Sequence, residues 1–156
     1  MKDKQIKFVD SKHSLSSSHK LLVESAVEAL SLSYSPYSQF KVGCAILLDN
    51  GMIVKGANFE NASYPLCLCA ERVALATVVS SYPNFIVRAL AVTAHSSNRL
   101  IDQPITPCGA CRQVIKEVEL KQKNEIEVLC FGMEGKISIW PNSQSLLPDA
   151  FDGSYL

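Results

Sequence analysis

The sequence predicts an α/β fold, a three-layer α/β/α sandwich built around a mixed sheet of five strands. An Asn-Gly pair between two apolar runs indicates an antiparallel hairpin, and strands then alternate with helices through the rest of the chain. Alternation at this spacing favours βαβ crossovers and parallel pairing beside the hairpin, and hence helices on both faces of the sheet. The 156 residues, of which 47% are hydrophobic, suffice for one domain with an ordinary core.

The N-terminal segment, residues 1–17, is polar and Ser-rich and shows no convincing periodicity. It is predicted to be a loosely ordered arm or an edge element, and residues 18–156 are predicted to form the domain. The first helix is expected to begin near Ser18, a suitable N-cap, because apolar residues then recur at helical spacing as far as Leu30. The turn-rich, proline-containing stretch 33–40 should end that helix.

The other predicted elements follow in order along the chain. Residues 41–49 and 51–59 are expected to form the hairpin, because Asn50-Gly51 supplies the positive φ values of a tight turn. The remaining elements are a helix from Cys69 to about Ser80, a strand over 85–94, a helix from Cys108 to about Glu119, and strands over 126–131 and 137–140.

The charge distribution indicates the kind of partner that the protein binds. Fifteen basic and fifteen acidic residues cancel and are scattered, so the broad basic surface that grips a polynucleotide is not expected. A small-molecule partner is predicted, and no nucleic acid. The first ten residues lack the apolar segment of a signal peptide, and no run approaches the roughly 20 apolar residues of a membrane span. No membrane partner and a cytoplasmic location are therefore expected.

Six cysteines without an export signal indicate metal or redox chemistry before disulfides. Cys108 and Cys111 are three residues apart at a predicted helix start, so they share a face and can hold one ion. If the fold brings Cys69 to them, three thiolates would leave the fourth position of a tetrahedral zinc ion to water. Glu71 would then be near enough to move protons of that water. The two cysteines inside apolar strands are expected to be core residues, Cys44 and Cys130.

Two other roles for these cysteines remain open. The Cys-x-x-Cys pair could be a redox motif, although this role leaves Cys69 and Glu71 unexplained. Alternatively, Cys67 could be the fourth ligand of a closed zinc site in a non-catalytic structural module. Against this second role, one residue between two ligands is a tight spacing, and Leu66-Cys67-Leu68 is typical of packing sequence. The three histidines lie outside these segments and are not expected to be ligands, namely His13, His19 and His95.

At these residues the chain resembles the cytidine deaminases of the small, homotetrameric, zinc-dependent type. The matching motifs are Cys-Ala-Glu-Arg at 69–72 and Pro-Cys-Gly-Ala-Cys-Arg-Gln at 107–113, and the resemblance runs from about His19 to Phe151. Further matching segments are YSPYSQFKVG, NFENASY and LLPDAF. The resemblance implies the cytidine deaminase-like fold, one zinc ion per subunit and a homotetramer with shared active sites. It also implies hydrolytic deamination of cytidine and 2′-deoxycytidine to uridine and 2′-deoxyuridine, a reaction of pyrimidine salvage.

The resemblance further implies a role for each matched site residue. The thiolates of Cys69, Cys108 and Cys111 would bind zinc, and zinc-activated water would attack C4 of cytosine. Glu71 would take a proton from that water, deliver one to ring N3 and help ammonia leave. The substrate-binding residues would be Asn58 and Glu60 at the ribose, Phe40 and a neighbouring subunit's Phe151 beside the pyrimidine, Tyr64 at a neighbouring subunit's site, and the backbone N–H of Ala70 and C=O of Thr106 at the base.

Three thiolates leave a divalent zinc ion with one net negative charge. Arg72 resembles the family's arginine that donates hydrogen bonds to the thiolates, and Arg112 is a weaker candidate for this role. One departure is Pro65-Leu66-Cys67, where relatives commonly have Gly-Leu-Thr, so the loop before the metal helix is expected to differ. A deaminase that acts on a base within a polynucleotide is the remaining alternative, and the lack of a basic stretch argues against it.

Overall fold

The computed structural model describes residues 5–156, and residues 1–4 of the predicted arm lie outside the described residues. Its helices and strands, in chain order, are β1 (Lys7–Val9), α1 (Ser17–Ala29), β2 (Phe40–Leu48), β3 (Ile53–Ala57), α2 (Ala70–Ser81), β4 (Val87–Ser96), α3 (Gly109–Gln122), β5 (Glu127–Cys130), β6 (Ile137–Trp140) and α4 (Ser143–Leu146). Among these residues, no helix is both long enough and apolar enough to cross a lipid bilayer.

The strands form one mixed sheet in the order β1-β6-β5-β4-β2-β3. Strand β2 pairs antiparallel with β3 and β4, and β4 pairs parallel with β5 across the helix α3. The predicted mixed sheet is confirmed, but the predicted count of five strands is wrong. Lys7–Val9 adds a sixth strand, which pairs antiparallel with β6. Three residues are too few to show an alternating pattern, so only the hydrogen bonds to β6 define this edge strand.

Helices cover both faces of the sheet, which confirms the three-layer sandwich. Helix α1 packs against one face, where its buried residues meet Ala45, Ala91 and Leu129. Helices α2 and α3 pack against the opposite face, and their buried residues form the larger core with Cys44 and Cys130. Both cysteines are fully buried, as expected of small apolar side chains.

The element boundaries differ from the predictions by a few residues. Helix α1 is capped by Ser16, whose Oγ accepts a hydrogen bond from the N–H of His19 at 3.3 Å, so the prediction of Ser18 as N-cap is wrong. Any serine in this Ser-rich stretch can cap a helix, and the packing of Leu22 and Val23 against the sheet selects the register. The predicted hairpin is confirmed, and Gly51 has the expected positive φ of 86°.

Strand β3 and helix α2 approach each other closely at Gly56. A Cβ atom at this position would lie 2.6 Å from the carbonyl oxygen of Ala70 and 2.7 Å from the backbone nitrogen of Ala74. Both contacts are to backbone, which cannot rotate away. Replacement of Gly56 by alanine is therefore expected to lower the free energy of unfolding by about 1–3 kcal/mol, measured by urea denaturation.

The matched control for this substitution is Gly153→Ala. A Cβ atom at Gly153 would meet no atom within 4 Å, so this variant is expected to keep the wild-type midpoint of unfolding. Equal stability of the two variants would contradict the close approach of β3 to α2. The contact matters for function because α2 begins directly after Cys69 and carries Glu71.

Candidate metal centre and active site

Three of the cysteine thiols converge at one end of the sheet. Cys69 occupies the N-cap position of α2, Cys108 occupies that of α3, and Cys111 lies in the first turn of α3. Their Sγ atoms lie within 4.8 Å of one another, with 3.9 Å between Cys69 and Cys108 and 3.5 Å between Cys108 and Cys111. Each helix precedes one of the two adjacent parallel strands β4 and β5, so both helix starts lie at the carboxyl edge of this strand pair.

The spacing of the three sulfur atoms fits a zinc ion. A tetrahedral site with Zn–S bonds of about 2.3 Å requires S···S separations of about 3.8 Å. The observed separations of 3.9 and 3.5 Å lie on either side of this value. Three thiolates are a donor set that zinc prefers, and three protein ligands leave the fourth tetrahedral position open.

Cys67 does not join the three-thiol cluster. Its Sγ accepts a hydrogen bond from the backbone N–H of Asn61 at 3.2 Å and donates to the carbonyl oxygen of Asn61 at 3.6 Å. Within residues 5–156, the groups that could hold a metal ion comprise Cys69, Cys108 and Cys111 alone. This arrangement argues against the closed site with four cysteine ligands.

Replacement of Cys67 by alanine therefore gives a direct test of the ligand set. The variant is expected to retain the wild-type content of about one zinc per chain, because the three remaining thiols complete the protein part of the site. Elemental analysis of the purified protein after dialysis against a weak chelator measures this content. Loss of zinc from the variant would support the structural module with four cysteine ligands instead.

Hydrogen bonds stabilise the thiolate form of Cys69. The thiol of Cys111 donates to it, the guanidinium of Arg72 lies beside it, and together with the Cys108 thiol they lower the pKa of Cys69 to about 5. Arg72 Nη2 lies 3.9 Å from Cys69 Sγ and donates to the carbonyl oxygen of Cys67 at 3.0 Å. The predicted partner of the thiolates is thus in contact with one of them.

Arg112, the weaker candidate, makes its hydrogen bonds elsewhere. Its guanidinium donates to the carbonyl oxygens of Pro107 and Leu146 at 2.7 and 2.8 Å and to Thr106 Oγ1 at 2.9 Å. Arg112 therefore ties the segment before Cys108 to the C-terminal part of the chain. Arg72 follows Cys69 by three residues and Arg112 follows Cys111 directly, and only the fold distinguishes the partners of the two arginines.

Glu71 is a buried carboxyl group beside the thiol cluster. It lies in the first turn of α2 and is only 4% exposed. Burial, followed by the negative charge of Cys69, raises the pKa of Glu71 above its usual range. A glutamate that only complemented the helix dipole would gain nothing from burial, because desolvation destabilises its charged form. Burial in this position is what a carboxyl group that exchanges protons with a bound molecule requires.

A cleft of about 360 Å³ opens above the thiol cluster and Glu71. Its size is that of a small-molecule site. The predicted site residues in its lining are Phe40, Asn58, Glu60, Cys69, Glu71, Thr106 and Cys108. Its apolar wall consists of Val42, Phe59, Leu68, Val92 and Ile105, none of which the sequence analysis identified. Valine and leucine in strands show the same pattern whether they line a cleft or a core, so no sequence signal separates them.

Asn58 and Glu60 lie together at the cleft and are both tied to neighbouring segments. Asn58 Oδ1 accepts hydrogen bonds from Ser33 Oγ at 2.6 Å and from the N–H of Val42 at 2.8 Å, and its Nδ2 donates to the carbonyl oxygen of Phe40 at 2.9 Å. Glu60 accepts three hydrogen bonds from the loop of residues 33–39. Partial desolvation raises the pKa of Glu60, but the three hydrogen bonds lower this pKa by more, so it lies below its usual range. The hydroxyl of Ser38 makes the largest contribution among these bonds.

The two residues expected to act across subunits lie away from this cleft. Tyr64 and Phe151 are 71% and 60% exposed, and neither lines the cleft of its own chain. Tyr64 makes an edge-to-face contact with Tyr37, and the carbonyl oxygen of Phe151 accepts a hydrogen bond from Gln113 at 2.8 Å. Ala70 is buried at the start of α2, where its N–H has no acceptor within the helix.

Comparison with known proteins identifies relatives of this chain. The sequence model described as "Cytidine and deoxycytidylate deaminase zinc-binding region" matches residues 16–124. The chain is 40% identical over 132 residues to a cytidine deaminase of Halalkalibacterium halodurans, covering 85% of this chain and 92% of that protein. It is 35% identical over 130 residues to a probable cytidine deaminase of Dictyostelium discoideum, covering 83% and 80% of the two chains.

Solved structures show the same fold. The crystal structure of cytidine deaminase from Burkholderia pseudomallei superposes with a TM-score of 0.73 at 40% identity, covering 85% of this chain and 98% of that chain. That of cytidine deaminase from Mycobacterium tuberculosis superposes with a TM-score of 0.65 at 33% identity, covering 86% and 97%. With the three-thiol cluster, these matches confirm the predicted fold class and the predicted zinc cofactor.

Proposed function

Because the chain belongs to the cytidine and deoxycytidylate deaminase family, we propose that it hydrolyses cytidine and 2′-deoxycytidine to uridine and 2′-deoxyuridine, with release of ammonia. The observation that carries this proposal is a cleft of small-molecule size that is lined by the buried Glu71 and by Cys69 and Cys108, two of the three convergent thiols. A catalytic zinc site needs both an open ligand position and a carboxylate that is not a ligand.

Cys69, Cys108 and Cys111 hold the zinc ion in this proposal. When bound, zinc supplies the Lewis-acid chemistry that makes water a nucleophile near neutral pH. Glu71 takes a proton from the attacking water, delivers a proton to ring N3 of the base and protonates the departing amino group. Water thus supplies the new oxygen at C4, the proton that ring N3 gains and the third hydrogen of ammonia, whose other two hydrogens come from the amino group of the base, so the overall reaction balances without any further reactant.

Asn58 and Glu60 recognise a ribose hydroxyl. In the described part of the chain, Asn58 Nδ2 has one hydrogen without a protein acceptor, and Glu60 Oε1 accepts one hydrogen bond only. One donor and one acceptor therefore remain at neighbouring positions. A hydroxyl group both donates and accepts, so this pair matches a sugar hydroxyl better than a methyl group or an ion.

The pyrimidine is placed by Phe40, Ala70 and Thr106. The Phe40 ring lines the cleft and offers a face for the base. The N–H of Ala70 donates to O2 of the base, and the carbonyl oxygen of Thr106 accepts from its amino group. Arg112 supports this arrangement because it holds the Thr106 hydroxyl and the adjacent Pro107 carbonyl.

The charges of the cleft favour a neutral nucleoside as the substrate. The ionisable side chains of its lining are the two glutamates and the cysteines, none of which can carry a positive charge. A phosphate group on a nucleotide or polynucleotide would be repelled there and would find no lysine or arginine in the lining. This charge pattern supports free cytidine over cytosine within RNA or DNA.

The functional form is a homotetramer with shared active sites. Two contacting pairs of exposed aromatic rings support this proposal, Tyr34 with Phe59 and Tyr37 with Tyr64. Exposed apolar surface of this kind marks interaction sites, and the exposed Leu66 and Leu68 follow Tyr64 in the chain. Tyr64 and Phe151 would reach a neighbouring subunit's cleft across such an interface. A cytoplasmic role in pyrimidine salvage completes the proposal, and thiol ligands that must stay reduced fit that compartment.

The decisive experiment is the change in ultraviolet absorbance of cytidine on mixing with purified, zinc-loaded protein. Conversion of cytidine to uridine is expected, with a much lower rate on an oligonucleotide that contains cytosine. An unchanged spectrum in the presence of bound zinc would overturn the proposal. A faster reaction on the oligonucleotide would favour the polynucleotide deaminase.

A further inference from the structure

The loop of residues 33–39 binds the carboxylate of Glu60 through three hydrogen bonds. The N–H groups of Tyr37 and Ser38 donate to Oε2 at 2.9 and 3.2 Å, and the hydroxyl of Ser38 donates to Oε1. The two successive N–H groups and the hydroxyl thus converge on one carboxylate, just before Gln39, which has a positive φ of 55°. Such a concave group of donors binds an anion, and here the bound anion is the carboxylate of Glu60, a residue that lines the cleft.

The loop is itself fixed against the segment that carries Glu60. The N–H of Tyr34 donates to the carbonyl oxygen of Asn58 at 3.0 Å, and the N–H of Glu60 donates to the carbonyl oxygen of Tyr34 at 2.8 Å. The N–H of Gln39 closes the loop on the carbonyl oxygen of Ser35 at 3.1 Å. Backbone hydrogen bonds therefore hold the loop in place without the Ser38 side chain.

The Ser38 hydroxyl has a second partner. Its Oγ accepts a hydrogen bond from the N–H of Phe40 at 3.0 Å, which orients its own hydrogen toward Glu60. Strand β2 does not depend on this bond, because Phe40 is also paired with Ser96 of β4. Loss of the hydroxyl should therefore act on the Glu60 carboxylate and leave Phe40 in place.

We propose that Ser38 is a positioning residue that aims the free lone pair of Glu60 Oε1 at the substrate's ribose hydroxyl, an inference that rests on the proposed function. The two N–H groups engage Oε2, so the hydroxyl of Ser38 is the group that sets the direction of Oε1. A glutamate side chain has several rotatable bonds, and fixing it before the substrate arrives lowers the entropy cost of binding.

The test compares cytidine with 2′,3′-dideoxycytidine, which keeps the 5′-hydroxyl but lacks the 2′- and 3′-hydroxyls, one of which is the hydroxyl assigned to Glu60. Ser38→Ala is expected to raise KM for cytidine about five- to tenfold with kcat nearly unchanged, because the lost bond contributes to substrate binding. KM for 2′,3′-dideoxycytidine is expected to remain within about twofold of the wild type, since this substrate makes no hydrogen bond to Glu60. A merely structural role of Ser38 would move both substrates alike.

Two variants control for the chemistry of the loop. Ser38→Thr keeps the hydroxyl and is expected to restore KM for cytidine to within about twofold of the wild type. Ser35→Ala removes a hydroxyl from the same loop whose partner is Ser33 and not Glu60, and it is expected to leave both KM values unchanged. A rise in KM for cytidine in Ser35→Ala equal to that in Ser38→Ala would overturn the assignment.

A double variant makes the coupling explicit. In a Glu60→Ala background, Ser38→Ala is expected to add almost no further rise in KM, because the carboxylate that it positions is gone. Additive effects, an equal loss with both substrates, or an unchanged KM for cytidine would each overturn the role of Ser38. A wild-type protein that is inactive on cytidine would instead overturn the proposed function, and this inference with it.

Discussion

Replacement of Glu71 by glutamine is expected to lower kcat for cytidine about 10²- to 10⁴-fold, because an amide can neither take a proton from water nor deliver one to ring N3. Glutamine has nearly the same shape, so the cleft should keep its form. The zinc content is expected to stay at the wild-type value, since Glu71 is not one of the three clustered thiols. Steady-state kinetics and elemental analysis on the same preparation measure both quantities.

A matched control for this variant is Glu24→Gln, which makes the same chemical change at an exposed position of α1. It is expected to leave kcat unchanged, because Glu24 lies outside the cleft lining. If Glu71→Gln retained a kcat within about tenfold of the wild type, its role in proton transfer would be wrong, since general acid–base groups contribute more than this.

Replacement of Cys111 by alanine is expected to release zinc and to reduce activity to the limit of the assay. Cys111 is fully buried, and its Sγ is 3.5 Å from that of Cys108. Two remaining thiols cannot complete a set of three protein ligands, and without zinc the pKa of water returns from about 7 to its far higher value in bulk water. Zinc content per chain and the rate on cytidine measure the two effects.

Cys130→Ala separates the loss of a ligand from the loss of a buried thiol. Cys130 is as buried as Cys111. It lies in the larger core, between the sheet and helices α2 and α3, and it is not part of the thiol cluster. This variant is expected to keep its zinc and its activity while losing some stability to the small cavity. Zinc retention in Cys111→Ala, or zinc loss in Cys130→Ala, would contradict the ligand set.

Local patterns in the sequence determined much of this protein. The tight turn at Asn50-Gly51 was predicted because this pair lies between two apolar runs and favours positive φ values. Gly51 has a positive φ in the structure. The pairing of Cys108 with Cys111 follows from helical spacing alone, because residues three apart share one face. Glu71 is proposed to transfer protons partly because it lies only two residues after Cys69. In each case the relevant atoms are close in the chain, so the pattern itself carries the geometry.

The tertiary structure decided what depends on segments far apart in the chain. It brought Cys69 within 3.9 Å of Cys108, and it turned Cys67 toward Asn61 and away from the cluster. It directed Arg72 to a thiolate and Arg112 to backbone carbonyls, although both follow cysteine motifs. It also added the edge strand Lys7–Val9, whose three residues show no pattern of their own.

The cleft shows the same division between sequence and fold. The candidate site residues in its lining could be predicted because thiols, carboxylates and amides are recognisable by type. Its apolar wall, including Val42 and Val92, could not, because a strand residue that faces a cleft and one that faces a core obey the same alternation. The hydrogen bond from Ser38 to Glu60 joins residues that are 22 positions apart in the chain. Long-range contacts of this kind are set by how the chain packs, and only the folded structure contains them.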